Sequence, residues 1–327
     1  MGFLALIAAL PLEQFQPLGR DHPAHRGVRQ LADWVRRHTD AGDARHGTWG
    51  WMLMVGGACL AAALVDGLLW RIHPVLSFLL HVGVLYLTLG FRQFSHSFTR
   101  IQLALAAGDT DGARDVLEAW LRQHDPERIV GTMPAGELCR QAIAHALLNA
   151  HRHVFGPLLW YILLPGVVGP VAYRLADFLA RRWGRMGRTG AERTGPQSVL
   201  LEAADSYGSF ARRAFPVVDW LPLRLTAAGF AVVGNFEDAV YCWRGASTVR
   251  AEDRQRSVLL GAGGGALGLR LADPALEAEW AASETGFDWS GSEPDAAALR
   301  SAVGLVWRAV ILWILIFALL SVASWLG

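Results

Sequence analysis

The chain contains no lysine; all 30 of its basic residues are arginine. That absence excludes a Schiff-base lysine and the lysine of a phosphate-binding P-loop. Any phosphate held here is held by arginine, backbone amides or a metal ion. Cysteine is scarce as well. Cys59, Cys139 and Cys242 lie far apart with no CxxC pair, which argues against a disulfide framework or a zinc site. Cys59 sits in an apolar run, where it reads as a small buried side chain. Charge is thin: 18% of the 327 residues are charged, against about a quarter in an ordinary soluble domain. The formal net charge of +1 gives no field to attract nucleic acid, which is not an expected partner.

What is present is apolar. Hydrophobic residues make up 53% of the chain, 14 of its residues are tryptophan, and mean hydropathy is positive at +0.27. Trp49 to Trp70 carries one charge, Asp66, and is long enough to cross a bilayer, with tryptophans at both ends as interfacial anchors. Arg71 ends it, and a second uncharged run, Ile72 to Phe91, makes the pair a helical hairpin. The C-terminal span runs over 309–327. Leu4 to Leu12 is short and apolar. It lacks the positive flank and cleavage site of a signal peptide, and fits a short or tilted helix completing the bundle.

Val154 to Tyr173 reads VFGPLLWYILLPGVVGPVAY. Interior prolines remove hydrogen bonds and clash with the preceding turn, so a broken or re-entrant segment is expected rather than one straight helix. Two polar regions, 92–153 and 180–301, flank it. In the first, DTDGARDVLEAWLRQH (109–124) predicts a helix capped by Asp109 or Thr110, with Val116, Leu117, Trp120 and Leu121 as its apolar stripe. In the second, the arginine-rich RRWGRMGR (181–188) reads as a cytoplasmic topology signal, with contact to anionic lipid or a phosphate as the alternative. Residues 283–296 look like a surface linker. Arginines border both polar regions, which favours one shared cytoplasmic face.

The stretch VVDWLPLRL (217–225) places Asp219, Pro222 and Arg224 in an otherwise apolar run. An ionisable residue within a membrane segment is costly and points to function. Acid and base five positions apart can pair across a bend made by Pro222. The plainer alternative is a structural pair that fixes that bend. Further back, ALLNAHRHVFG places His145, Asn149 and His153 four apart, on one face of a helix. That spacing suits polar helix packing or lipid headgroups; no metal site is expected from it. GAGGG (261–265) has no strand–loop–helix context and reads as close helix packing.

Several of these segments resemble the CobD/CbiB family of cobalamin biosynthesis and its relative AmpE. DWLPLRL (219–225) matches the family's D-W-[IV]-P-x-R-L, and His22-Pro23 stands in a segment similar to its N-terminal H-P-V-R. GDTDGARDVLEAW (108–120), GPLLWYILLPGVVGPVAYR (156–174) and SVLLGAGGGALGLRLADP (257–274) follow in the family's order. The resemblance covers about residues 20–275. It implies an integral membrane enzyme that joins an aminopropanol-type amine to a carboxylate of adenosylcobyric acid, with ATP and Mg²⁺ as cofactors and a corrinoid substrate.

The family's acidic motif E-x-x-x-E-N-T-x-D-G is matched here by Ala144, Leu148, Asn149, Ala150, Arg152 and His153, and only the asparagine is kept. Its N-T-L-D-S-M is matched by Asp177, Phe178, Leu179, Ala180, Arg181 and Arg182. AmpE proteins, associated with regulation of β-lactamase induction, also lack the acidic motif. The middle of this chain looks more like AmpE, while GAGGGALGLRL looks more like the synthase.

The expected molecule is an all-α integral membrane protein of the bacterial inner membrane. It is a single CobD/CbiB-like domain over 1–327, with four or five membrane segments and a helical polar layer. Its candidate polar site is Asp219, Arg224, Asn149, Asp177 and His153. The expected function is that of a divergent relative of the synthase; the alternative is a non-catalytic, AmpE-like sensor or accessory protein.

Overall fold

A chain with this few charges and this many leucines and alanines forms helices wherever proline and glycine allow. In a computed structural model, residues 2–15, 23–40, 44–122, 131, 133–164, 166–191, 206–246, 254–272 and 291–326 are described, and their regular elements are all helical. An isolated bridge between Leu269 and Ser292 is the sole β-type pairing among them. Among the described residues three helices are long and apolar enough to cross a bilayer: Arg45–Ile72, Tyr207–Val233 and Ala296–Ser324. Gly2–Glu13 and Pro74–Thr88 are apolar but shorter.

The chain divides into two units, and the first comprises residues 1–90 and 156–222. It opens with α1 (Gly2–Phe15) and α2 (Pro23–Thr39). The expected first span follows as α3 (Ala44–Trp51), a π-helical turn (Met52–Gly56) and α4 (Gly57–Ile72). His73 ends α4 in an extended conformation, and its ring accepts from the Val75 amide, capping α5 (Pro74–Thr88). The expected hairpin is therefore present, and α4 and α5 pack together. The proline- and glycine-rich segment is broken as expected. α9 (Gly156–Leu163) stops, Gly166 takes a left-handed φ of 75°, and α10 (Val168–Ala191) begins anew. A positive φ of this kind suits glycine.

α10 packs against α4 and α5. Asp33 of α2 receives two hydrogen bonds from Arg182 of α10, at 2.6 and 2.8 Å. That bond, reinforced by the charge of Arg182, outweighs partial burial and holds the Asp33 carboxyl below the usual carboxylate range. The arginine expected to mark topology is thus partly engaged in a tertiary pair. Glycine lets the backbone of α11 (Ser206–Val233) come close to its neighbours: a Cβ on Gly47 would lie 2.1 Å from the Tyr207 carbonyl oxygen, and one on Gly50 2.0 Å from the Tyr207 hydroxyl. Around that seam Trp183, Tyr207, Leu179 and Val55 form a buried cluster.

The second unit comprises residues 91–155 and 223–327. α6 (Phe91–Ala106), α7 (Thr110–Arg122) and α8 (Ala135–Ala150) pack on one another, and α6 and α8 also pack on α14 (Ala296–Leu326). The Asp109 side chain accepts from the Gly112 amide at 2.8 Å and so caps α7. Leu117, Trp120 and Leu121 are buried as predicted, with Ala113, while Val116 is half-buried. α12 (Phe236–Ala246) and α13 (Arg254–Leu267) form the tightest pair. A Cβ on Gly265 would lie 2.4 Å from the Asp238 carbonyl oxygen, so the glycine cluster serves close packing, as its sequence suggested. Burial pushes the thiols of Cys139 and Cys242 up to about 11, which keeps them protonated and unreactive. Residues 283–290 of the expected linker and His22 lie outside the described residues.

Candidate functional site

Asp219 is the ionisable group that the sequence singles out, and it is buried at 2% exposure. The Tyr173 hydroxyl donates to its Oδ1 at 2.8 Å. Tyr173 is itself fully buried and rests on Phe215, with ring centroids 5.6 Å apart. Its ring fills the place where any side chain at 156 would stand, since a Cβ on Gly156 would be 2.2 Å from Tyr173 Cζ. Trp160 Nε1 donates to the Val218 carbonyl at 3.2 Å. Three separated motif segments thus converge: the glycine and tryptophan of GPLLW, the tyrosine of VAYR, and the aspartate of DWLPLRL. A charge in apolar surroundings is held by donated hydrogen bonds, and Tyr173 supplies one.

The expected bend at Pro222 is not where the helix ends. α11 runs unbroken through Pro216 and Pro222. A membrane-type helix tolerates such prolines when the freed backbone groups find other partners. Asp219 and Arg224 stand five positions apart on that one continuous helix. Arg224 is half-buried.

Asp177 is 1% exposed and lies against Arg181, one turn on, with Arg174 at 3.8 Å. Its Oδ1 has no hydrogen-bond partner among the described residues. Asn149 donates from Nδ2 to the His145 carbonyl at 2.9 Å, four residues back, so its amide serves its own helix. His153 is buried in a second π-helical turn, His151–Phe155. In that turn His151 Nδ1 lies 2.9 Å from the Thr226 hydroxyl. His145 packs edge-on against Trp120, with centroids 4.5 Å apart.

A polar constellation that sequence reasoning missed lies in the first hairpin. Ser77 Oγ donates to Asp66 Oδ1 at 2.6 Å. His81 Nε2 stands 3.2 Å from both Asp66 oxygens, and its Nδ1 lies 2.7 Å from the Tyr161 hydroxyl. Tyr161 in turn donates to the Gly2 carbonyl at 3.1 Å. Asp66, Ser77 and His81 border a cavity of about 270 Å³ that Gly67, Trp70, Phe78 and Gly166 also line. The signal was available: Asp66 is the one charge in its span, and the rule that singled out Asp219 applies to it equally.

The resemblance implies ATP and Mg²⁺, and a divalent ion on phosphates takes carboxylate oxygens. No group of three or more His, Cys, Asp or Glu side chains converges among the described residues. Of the buried acids, Asp177 meets Arg181 and Asp219 meets Tyr173. The described residues therefore do not build a protein-only metal site.

The family model described as CobD/Cbib protein matches residues 5–306. The chain is 29% identical over 322 residues to the cobalamin biosynthesis protein CobD of Stutzerimonas stutzeri, covering 96% of each chain. It is 29% identical to the protein of that name from Chromobacterium violaceum, covering 84% of this chain and 80% of the relative. Against the Rhodobacter capsulatus protein it is 27% identical, covering 67% and 63%. No solved structure matches.

Proposed function

The chain belongs to the CobD/CbiB family, and we propose that it acts in cobalamin biosynthesis on a corrinoid, as a multi-pass protein of a bacterial inner membrane. The observation that carries this reading is the similarity to CobD across 96% of both chains. The chain works as one domain over 1–327, with four or five membrane segments and a helical polar layer. The reaction is the one the resemblance implies: an aminopropanol-type amine joined to a corrinoid carboxylate. ATP, when bound, supplies the activation that amide formation needs.

Among this chain's own residues, Asp219 is the acid placed to meet the amine, held at a fixed angle by Tyr173. Arg224 offers the cation that a phosphate or carboxylate needs, in a chain without lysine. Asn149, His153 and Asp177 stand where the family carries its polar signatures, and they make this a divergent member with most of the acidic motif lost.

The tie of Asn149 to its own backbone favours a second reading, in which that segment is structural and the protein is a non-catalytic, AmpE-like accessory linked to β-lactamase regulation. Complementation separates the two. The chain is expressed in a bacterium lacking its own synthase, and cobalamin-dependent growth on cobyric acid is scored. Growth that disappears with Asp219→Ala is the expected result. Absence of growth, with the protein present in the membrane, overturns the synthase reading.

A further inference from the structure

α2 carries Arg26, Arg29, Arg36 and Arg37 but a single acid, Asp33, along one strongly amphipathic helix. Part of its surface is engaged inside the first unit. Ala32 and Val35, three positions apart, are buried in the cluster that holds Trp183 and Tyr207. Asp33 takes the two hydrogen bonds from Arg182. Arg36 stands over the Tyr207 ring, 5.7 Å from its centroid, and the Thr39 hydroxyl lies 2.7 Å from the Tyr207 hydroxyl. These contacts fix which way the helix faces.

What they leave uncovered is apolar. Val28, Leu31 and Trp34 recur at every third position, so each shares a face with the next. Leu31 is 52% exposed, Trp34 is 50% exposed, and Val28 is exposed as well. Trp34 is held in place: His38, four positions on, stands 4.4 Å from it between ring centroids and sets its Nδ1 2.8 Å from the Trp34 carbonyl oxygen. Arg26 and Arg37 are exposed on the same helix, and Arg37 follows Trp34 by three positions.

Exposed leucine and tryptophan beside arginines are the composition of a helix lying in a membrane interface. The placement of α2 agrees. It packs on α3, where the first span begins, and Trp49 of α3 is 69% exposed. α1, which precedes it, exposes Leu4 and Ile7. Surface suited to lipid therefore continues on both sides of α2 along the chain. The excess of arginine over acid is complementary to anionic headgroups, and a guanidinium fork takes two phosphate oxygens at once.

We propose that α2 is a membrane-surface helix, with Leu31 and Trp34 at the headgroup–acyl boundary and Arg26 and Arg37 on the phosphates of anionic lipids. This rests on the first span crossing a bilayer and not on the amide-forming reading.

The test places the full chain, one copy per disc, in nanodiscs of phosphatidylcholine mixed with phosphatidylglycerol. Leu31→Cys carries a fluorophore in a Cys59→Ala background, since Cys139 and Cys242 are buried. A nitroxide on the lipid headgroup should quench it at least about threefold more than aqueous iodide does. Val28→Cys, on the same face, gives a second reading if the first variant does not fold. Native mass spectrometry then compares the phosphatidylglycerol that the otherwise unlabelled protein retains. Arg26→Gln with Arg37→Gln should lower that retention several-fold, while Arg26→Lys with Arg37→Lys should keep most of it. Quenching by iodide instead of the nitroxide places α2 in water, and quenching by neither shows that protein covers this face; each overturns the proposal. Retention unchanged by the glutamine pair overturns the role of the two arginines. Protein that stays out of the discs refutes the spanning reading itself, so the two fail separately.

Discussion

The first span and α13 are both apolar helices built with glycine, yet they meet opposite surroundings. Along the first span Trp49, Leu53, Leu60, Leu64 and Leu68 are all exposed, as side chains facing acyl chains are. Along α13 every residue from Ser257 to Ala266 is buried by protein. The first span is the more apolar of the two, and the small residues of 261–266 set α13 apart as well. Large residues point outward into lipid, whereas a run of glycine and alanine lets another backbone approach. Gly57 has nothing within 4 Å of its would-be Cβ, whereas Gly265 has the Asp238 carbonyl and the Ala239 Cα within 2.7 Å.

The sharpest way to break this contrast is a pair of substitutions. Gly265→Val should cost about 3 kcal/mol or abolish the folded protein, since its neighbours are backbone and cannot move aside cheaply. Gly57→Leu should leave stability within about 0.5 kcal/mol of wild type. Thermal unfolding in detergent, followed by size exclusion, reads both. Equal losses would show that the first span is packed against protein as tightly as α13.

A smaller effect tests buried polar packing against lipid exposure. Tyr173→Phe removes the hydroxyl that donates to buried Asp219 and should cost about 1–3 kcal/mol, because the acceptor loses a donor it cannot replace with water. Leu60→Phe, on the exposed side of the first span, should cost nothing measurable. Chemical denaturation of the two variants checks the difference.

The smallest effect is a pH dependence at Glu137. Burial alone pushes the Glu137 carboxyl up, but hydrogen bonds from Arg140 and Gln141 and the charge of Arg140 outweigh it, so Glu137 titrates below its ordinary value of 4.5. A lowered folded value means that the stabilisation is fully present above that ordinary value. It is lost as pH falls below 4.5 and through the folded value. The Glu137→Gln variant should therefore lose stability relative to wild type at pH 7 and converge with it as pH falls through the lowered folded value. A constant gap between the two unfolding curves would remove Glu137 from the account.

Much of the fold was legible because proline, glycine and caps act locally. The break near Gly166, the Asp109 cap, the hairpin and the packing role of GAGGG all follow from a few adjacent residues. Pro222 leaves the helix unbroken, because a proline's own missing amide says nothing of the partners that let α11 continue. The site was less legible for a related reason. Asp219 stood out as a charge in an apolar run, but its partner Tyr173 lies 46 residues earlier. Asp66 stood out as the one charge in its span, but its partners Ser77, His81 and Tyr161 come from two other stretches, and each of those reads alone as an ordinary polar residue.

The seam where Gly47 and Gly50 press on Tyr207 also has a mechanical meaning. A side chain between two helices acts as a bearing, on which one can roll past the other. At Gly47 there is none, and the first span cannot spin about its own axis without prying that backbone contact open. When the bilayer thins or thickens, a lone helix tilts or rotates to match. This span must tilt together with the start of α11, so within the first unit a change in membrane thickness is transmitted as a movement of two spans at once.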